Sequence, residues 1–488
     1  MTLSGLSNNN LYLIKTNPSD NTISYSMTGC VESVTVSEDS SDSSTDESDN
    51  VLSPVINSID TIDTSNSVET YLSGVFDDGT KTISRYDNPD VRDFNNNPPE
   101  LVGDVTSSIV TSSRSVLSTS SDSSTDTDTD SYTDTDIANA TKSFYVQDAD
   151  DDWVEEDATL YAIGDNCYVW IADDNYDDES DSDSDNVVTT TQAQAIADKF
   201  DLVYDPETAV FGDKYDEDDA AEGTYLVDPA EKISIFIYDI SYDYDEDQSS
   251  GTFGFFWAKD FYTDNYMQET YEYRSNETEM FYIDAYFLDK YSDYMYSTLA
   301  HEFQHMLHFV HKYIEQGLSS STWFNEMLSM TCEDMMQDLL EIDDDYSPKS
   351  RLWYFNQYYN YGMTDWLDDD GVYISYANAY AFGAYMARNY EGASFVQELA
   401  SNDSVDMDSI TAALSTFGYS DEFDDIFEDW GQALIYTDAT DVSDTLSYNK
   451  TVEDDTGIYD DYTYPFNAID LTSDDYNGGG TNNLFSNR

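Results

Sequence analysis

The sequence is short of basic residues, cysteine and histidine. Its 488 residues include 102 acidic and 18 basic side chains, which gives a formal net charge of -84. Because nucleic acids and anionic membranes are themselves negative, the composition excludes both as natural partners. The three cysteines, Cys30, Cys167 and Cys332, are odd in number and irregularly spaced. They therefore predict neither a disulfide framework nor a CxxC metal site.

Long apolar runs are also missing. No stretch reaches the roughly 18 apolar residues that a membrane-spanning helix requires, so no membrane span is predicted. The first residues, MTLSGLSNNNLYLIKTNPSDN, lack the basic and apolar regions of a secretory signal. The acidic side chains of such a surface repel one another unless salt screens their charges. The screening length is about 10 Å at 0.1 M salt, so we expect a protein suited to salty surroundings.

Three tracts are dominated by serine, threonine and aspartate, at residues 37–50, 118–136 and 173–186. They carry too little apolar surface to offset the entropy of ordering, so we predict disordered acidic linkers and one surface loop. Calcium is a second candidate ion because carboxylates are its ligands, although none of the tracts has the spacing of an EF-hand loop. We predict an acidic, largely low-complexity N-terminal region over residues 1–142.

The remainder of the chain has the patterning of a folded protein. Strands are predicted where apolar, β-branched and aromatic residues alternate or run together, at residues 158–173, 232–240, 251–261 and 279–287. Helices are predicted at residues 190–205, 376–392 and 420–436, with mostly helical structure after residue 294. This order of elements predicts an α+β fold.

The predicted fold has two lobes with a cleft between them. Residues 143–312 form the lobe that contains the sheet, and residues 313–450 form the helical lobe. Residues 451–488 are expected to be a frayed tail or the start of a further segment.

All four histidines lie in one stretch, HEFQHMLHFVHK, at residues 301–312. On a helix, His301, His305 and His308 share the side opposite an apolar stripe of Leu299, Phe303, Met306, Leu307 and Val310. His301 and His305 are one turn apart, about 6 Å along the axis, so both imidazoles reach one ion at a Zn–N distance near 2.1 Å. The pair His305 and His308 has a similar reach.

Glu302 distinguishes the two pairs, because only the first forms HExxH with an acid beside it. That carboxylate is placed to act on the water that a metal ion activates. A catalytic zinc needs three protein ligands and one open position. The helical stretch WFNEMLSMTCEDMMQDLL, residues 323–340, offers Glu326, Glu333 and Asp334 as the third ligand, and Glu326 is preferred.

HEFQH followed by WFNEMLSM resembles the gluzincin metallopeptidases, and specifically the hyicolysin-like family. The resemblance includes SNETEMFYID, residues 275–284, and extends in weaker form over residues 155–435. It implies a zincin-like, thermolysin-type fold with Zn²⁺ held by His301, His305 and Glu326, and Glu302 as the base. Thermolysin-type relatives have an aspartate four residues after the third ligand, where this chain has Met330. Glu333, two turns from Glu326, is the candidate replacement.

The resemblance also implies a tyrosine that stabilises the oxyanion. YAFG, residues 380–383, is similar to the Y-x-x-G segment of aminopeptidase-type gluzincins, which gives Tyr380 as the candidate and Tyr376 as the alternative. Substrate selection in this clan resembles strand addition, for which residues 251–257 or 280–284 are candidate edges. His308 and His311 are expected to line the cleft or face solvent.

The sequence thus predicts a zinc-dependent peptidase, an endopeptidase, that acts on proteins or peptides. Family resemblance places it as a secreted or cell-surface protein. One alternative is an inert, calcium-decorated binding protein that retains the fold. Another is a zinc hydrolase that acts on non-peptide bonds. The sequence carries no indication of oligomeric state.

Overall fold

The computed structural model describes residues 84–85, 89–101, 139–176, 188–216, 225–242, 250–367, 371–437, 447–452, 462–473 and 475–476. The predicted tracts at residues 37–50 and 118–136, and Cys30, lie outside these ranges. Only the start of the third tract is described. There, Asp173–Asn175 form a 3-10 turn, and Tyr176 makes a parallel bridge to Val188.

Most strands belong to one mixed sheet of six strands, in the order β2-β3-β4-β5-β8-β7. The strands in chain order are β1 (Ser84–Arg85), β2 (Thr141–Gln147), β3 (Trp153–Ile163), β4 (Cys167–Ala172), β5 (Ile233–Tyr238), β6 (Ser250–Gly251), β7 (Gly254–Phe256) and β8 (Met280–Asp284). β2, β3 and β4 form an antiparallel meander. β4, β5 and β8 are parallel, and β7 runs antiparallel to β8.

Helices cover the sheet and form the second half of the chain. In chain order they are α1 (Pro89–Asn96), α2 (Thr190–Phe211), α3 (Asp264–Tyr271), α4 (Ala285–Lys290), α5 (Ser292–His308), α6 (Thr322–Leu340), α7 (Leu352–Tyr358), α8 (Val372–Asn389), α9 (Ala393–Ser401), α10 (Asp406–Thr416) and α11 (Phe423–Tyr436). A π-helical turn, Phe309–Glu315, continues α5. None of the helices in the described ranges is long and apolar enough to cross a bilayer.

Most predicted strands and helices are present, but the strand predicted at residues 251–261 is short, because residues 258–261 form a 3-10 turn. Every residue of β5, ISIFIY, is buried, as expected of a strand inside a sheet that is covered on both faces. The long helix α2 returns the chain from β4 to the parallel strand β5, and it begins at a capping box between Thr189 and Gln192. Helical structure in the second half begins at Ala285, which is earlier than predicted.

Two glycines allow close packing around α5. A Cβ atom at Gly254 of β7 would lie 2.5 Å from the Tyr282 carbonyl oxygen and 2.9 Å from the Thr298 methyl of α5. A Cβ atom at Gly383 of α8 would lie 2.4 Å from Thr331 Oγ of α6. Glycine therefore lets β7 lie directly against α5, and α8 against α6.

Both ends of the described chain differ from the predicted organisation. The N-terminal region was predicted as low-complexity up to residue 142, but β2 begins at Thr141 and α1 packs on the body of the protein through Val91 and Phe94. The predicted tail packs too. Its Phe466, Ile469 and Leu471 are buried. These apolar side chains explain why the described part of the tail is folded.

Candidate metal centre

Three side chains from two helices converge at the centre of the structure. His301 and His305 lie on α5, and Glu326 lies one turn into α6. The two Nε2 atoms are 2.9 Å apart, and the Glu326 carboxylate lies 3.1 Å from His301 Nε2 and 3.6 Å from His305 Nε2. All three donor atoms lie within 4.8 Å of one another. Two imidazoles and a carboxylate in this arrangement match the donor set of a divalent metal site.

Glu333 holds the first histidine from behind. His301 Nδ1 donates to Glu333 Oε1 at 2.6 Å, and Ser297 Oγ donates to the other carboxylate oxygen at 2.6 Å. A proton on Nδ1 leaves the Nε2 lone pair free for coordination. The structure thus places Glu333 where the helical spacing predicted it.

The second histidine is held by residues that flank Glu326. His305 Nδ1 lies 3.0 Å from Asn325 Oδ1 and 2.9 Å from Ser329 Oγ. Ser329 Oγ also bonds the side chain of Gln304. Asn325 and Ser329 were not predicted as site residues, although they are the N and S of the quoted WFNEMLSM.

The environment of the Glu326 carboxylate favours its ionised form. Burial alone would raise its pKa, but the two imidazoles that face it, His305 and then His301, hold the pKa well below its ordinary value. Its Oε2 atom is buried and accepts no well-directed hydrogen bond from the described residues. A buried carboxylate oxygen that faces an imidazole nitrogen at 3.1 Å without a well-directed hydrogen bond fits a metal ligand.

Glu302 lies in the same pocket as the three converging side chains. It is buried, and its Oε2 accepts a hydrogen bond from the backbone N–H of Phe256 at 2.9 Å. Phe256 ends β7, the edge strand of the sheet. Of the two predicted candidates for the sheet edge, residues 251–257 include the edge strand β7. The other candidate, β8 (Met280–Asp284), lies inside the sheet between β5 and β7.

The other two histidines have partners away from the three converging side chains. His308 Nε2 bonds Ser320 Oγ at 2.8 Å, and burial together with the charge of Lys312 lowers the His308 pKa to about 3. His311 Nε2 bonds the Asp213 carbonyl at 2.8 Å. His308 lines a smaller pocket beside the metal pocket, in line with the expectation that it borders the cleft.

The structure separates the two candidate tyrosines. Tyr376 lines the pocket that contains His301 and Glu302. Tyr380, one turn later on α8, is fully buried beside Asp334, and burial raises its pKa well above the ordinary value. Tyr380, the first candidate for the oxyanion donor, thus lies in the core, whereas the alternative, Tyr376, lines the pocket; the role itself stays a prediction.

Asp334 is the third acid that the sequence offered as a ligand, and it serves another purpose. Its carboxylate pairs with the buried guanidinium of Arg388 at 2.8 Å, and Lys349 lies 3.7 Å away. Paired charges in the core account for its burial. Asp334 is therefore neither solvated nor part of the metal pocket.

The pocket also has a wall that the sequence did not indicate. Val91, Arg92, Asn95 and Asn96 of α1 line it together with β7, α5 and α6. An asparagine-rich stretch between acidic tracts carries no spacing that points to a site. Only the long-range contacts of the folded chain bring it there.

Comparison with known proteins identifies the family of the chain. The profile of the Peptidase M30 family matches residues 160–432, which is more than half of the 488-residue chain. A neutral metalloprotease, ShpI, from Staphylococcus hyicus is 30% identical over 244 residues. That alignment covers 47% of this chain and 47% of the relative, so the chain spans about half the length of the relative it matches. The predicted resemblance is confirmed, and the chain belongs to the peptidase M30 family of metallopeptidases.

Proposed function

We propose that this chain is a zinc-dependent endopeptidase in which His301, His305 and Glu326 hold the ion and Glu302 is the general base. The observation that carries the proposal is the convergence of both Nε2 atoms and the Glu326 carboxylate within 4.8 Å, with Glu302 in the same pocket. Two nitrogens and one oxygen leave a tetrahedral zinc one open position. Zinc is preferred over calcium because calcium takes oxygen ligands almost exclusively.

The chemistry follows from these positions. When bound, a zinc ion would lower the pKa of water toward 7 and polarise the scissile carbonyl. Glu302 accepts a proton from the attacking water and delivers it to the departing amine. The Phe256 N–H, 2.9 Å from Glu302 Oε2, fixes the direction of that carboxylate. Tyr376 is the candidate donor to the oxyanion because it lines the pocket.

The substrate is a protein or peptide in extended conformation. An edge strand beside the reacting groups offers backbone donors and acceptors to such a chain, and β7 ends beside Glu302. The sheet with helices following it is consistent with a thermolysin-type, two-lobe arrangement around the pocket. A secreted or cell-surface location is proposed from the family resemblance.

Casein cleavage by the purified chain tests the proposal. We expect hydrolysis that stops with 1,10-phenanthroline and returns on addition of zinc. Glu302→Gln should keep the metal and lose cleavage, because the amide cannot accept the proton. The matched control is Glu341→Gln, an exposed acid at the end of α6.

Three outcomes would contradict the proposal. Cleavage that ignores the chelator would exclude a metal-dependent peptidase. Cleavage by Glu302→Gln at near the original rate would exclude Glu302 as the base. A chain that binds zinc through these residues and cleaves no protein would favour the inert binding protein or the hydrolase of other bonds.

A further inference from the structure

The helix α1 (Pro89–Asn96) and the residues after it lie across the metal pocket. We call residues 89–101 the cleft segment. Asn95 Nδ2 donates to the Phe256 carbonyl at 2.7 Å, and Asn95 Oδ1 accepts from the Ala258 N–H at 2.8 Å. One side-chain amide therefore bonds the carbonyl of the last residue of β7 and the N–H two residues later, where extended Trp257 leads from the strand into the 3-10 turn Ala258–Phe261.

These two backbone groups are the ones that an added strand would use. β7 pairs with β8 on one side only, so its other side is the edge of the sheet. Along a strand, the groups on one side alternate, and a partner peptide bonds the C=O of one residue and the N–H of the residue two positions on. The Asn95 amide makes this pair of bonds. It imitates the peptide group of an extended chain.

The Asn95 amide lies close to Glu302, the proposed general base, because both side chains bond Phe256. The N–H of the same Phe256 donates to Glu302 Oε2 at 2.9 Å. Val91 and Arg92 of α1 line the pocket with His301, Glu302 and Glu326. The segment thus occupies both the strand edge and the space next to the reacting groups.

The cleft segment is fixed on the other wall as well. Asn96 Nδ2 donates to Thr322 Oγ1 at 2.6 Å, and Thr322 begins the helix that carries Glu326. After α1, Tyr313 Oη donates to the Pro99 carbonyl at 2.6 Å. Upstream, β1 (Ser84–Arg85) pairs in parallel with β6 (Ser250–Gly251), just before β7. The segment spans the cleft from the sheet edge to α6.

We propose that the cleft segment is an autoinhibitory element that occupies the peptide-binding edge in place of substrate, with Asn95 as its anchor. The inference rests on the proposed function in one respect, that β7 is where a peptide binds. A substrate must displace the Asn95 amide before it can bond Phe256 and Ala258. The fraction of molecules with a free edge then sets the apparent affinity for substrate.

The opposite role makes the opposite prediction. If the segment were a permanent wall that contacts substrate, loosening it would weaken substrate binding. If it were an inhibitor, loosening it would tighten binding. The sign of the change in affinity therefore separates the two roles.

The experiment measures binding without cleavage. The probe is fluorescein-labelled β-casein, titrated by fluorescence anisotropy with the full zinc-loaded chain carrying Glu302→Gln. Asn95→Ala is added to this background, and Asn97→Ala is the matched control. Asn97 belongs to the same segment and is exposed, and its side-chain amide donates to the Asp93 carbonyl one turn earlier. Loss of two hydrogen bonds should tighten casein binding by about tenfold or more, whereas the control should bind as the parent does.

A second variant and a second measurement guard against misfolding. Asn95→Asp keeps an acceptor for the Ala258 N–H but lacks the donor to the Phe256 carbonyl, and it should tighten binding in the same direction. Exchange of the Ala258 amide hydrogen should accelerate in Asn95→Ala while circular dichroism stays unchanged.

Unchanged or weaker casein binding by both Asn95 variants, with the fold intact, would overturn the proposal. Tighter binding would support it even if the chain with Glu302 restored cleaved no protein. That second result would contradict the proposed peptidase function and leave the occupation of the edge standing.

Discussion

At the scale of single residues, the metal pocket depends on side chains that are each held in place by a partner. Both histidines proposed as ligands have their Nδ1 atoms engaged, His301 by Glu333 and His305 by Asn325 and Ser329. This leaves their Nε2 atoms directed at Glu326. The residues behind the two histidines therefore orient the rings, as the partners of metal-ligating histidines are expected to do.

Glu333→Gln should weaken zinc binding by about 10–100-fold, because the neutral amide no longer fixes the His301 ring with a charged acceptor. Competition with a fluorescent zinc chelator measures the affinity. The control is Glu341→Gln, because Glu341 is an exposed acid at the end of the same helix. An affinity equal to that of the parent chain would show that Glu333 serves only packing.

Tyr376→Phe should lower kcat on a peptide by about 10²–10³-fold with little change in KM, since one oxyanion donor is lost. Tyr380→Phe provides the matched comparison, because Tyr380 lies one turn away in the core. It should leave kcat unchanged. If Tyr380→Phe lowered kcat and Tyr376→Phe did not, the assignment to Tyr376 would be wrong.

At the scale of elements, α5 and α6 were largely predictable, and their surroundings were not. The HExxH spacing and the apolar stripe are local patterns, so the sequence carries them directly. Which residue of α8 reaches the pocket depends on how far along its own axis the helix lies against α6, which it approaches closely where Gly383 meets Thr331. Tyr376 and Tyr380 are one turn apart on the helix, so sequence spacing could not separate them.

The α1 helix illustrates the limit more strongly. Asn95 bonds Phe256, and 161 positions of sequence separate the two residues. No periodicity within PDVRDFNN indicates such a contact. The tail is a second example of a contact between residues distant in sequence. Asn356 bonds the Leu471 carbonyl, 115 positions later.

The buried acid Glu207 of α2 gives a prediction about stability. Both of its oxygens are buried and accept no well-directed hydrogen bond from the described residues, the Cys332 thiol lies beside them, and burial raises its pKa well above the ordinary value. An acid of this kind stabilises the fold when protonated. Its contribution is complete below the unfolded-state pKa, near 4.5, and is lost as pH rises toward the folded-state pKa.

Glu207→Gln should therefore stabilise the protein at pH 7 by on the order of 1 kcal/mol, because glutamine never carries the charge. The advantage should shrink as the pH falls toward 4. Thermal unfolding at both pH values measures it, with Glu269→Gln on the exposed face of α3 as the control. A lower Tm for Glu207→Gln at pH 7 would mean that the native site requires the ionised acid.

At the scale of the whole molecule, the charge of -84 shapes the response to salt. Salt screens the repulsion among acidic side chains that are farther apart than the Debye length, which is about 10 Å at 0.1 M salt and about 3 Å at 1 M. Raising the salt concentration from about 0.1 M to about 1 M should therefore raise Tm. Scans in NaCl and KCl test this, since screening predicts equal effects. A Tm that is flat or falls with both salts would show that surface repulsion contributes little.

The account as a whole depends on one ion held by three side chains. Anomalous diffraction at the zinc edge, from crystals of the full chain grown with zinc, locates that ion directly. We predict a peak about 2.1 Å from His301 Nε2 and His305 Nε2 and about 2.0–2.2 Å from a Glu326 carboxylate oxygen. A zinc peak elsewhere, with these three side chains left uncoordinated, would contradict the assignment of the metal centre.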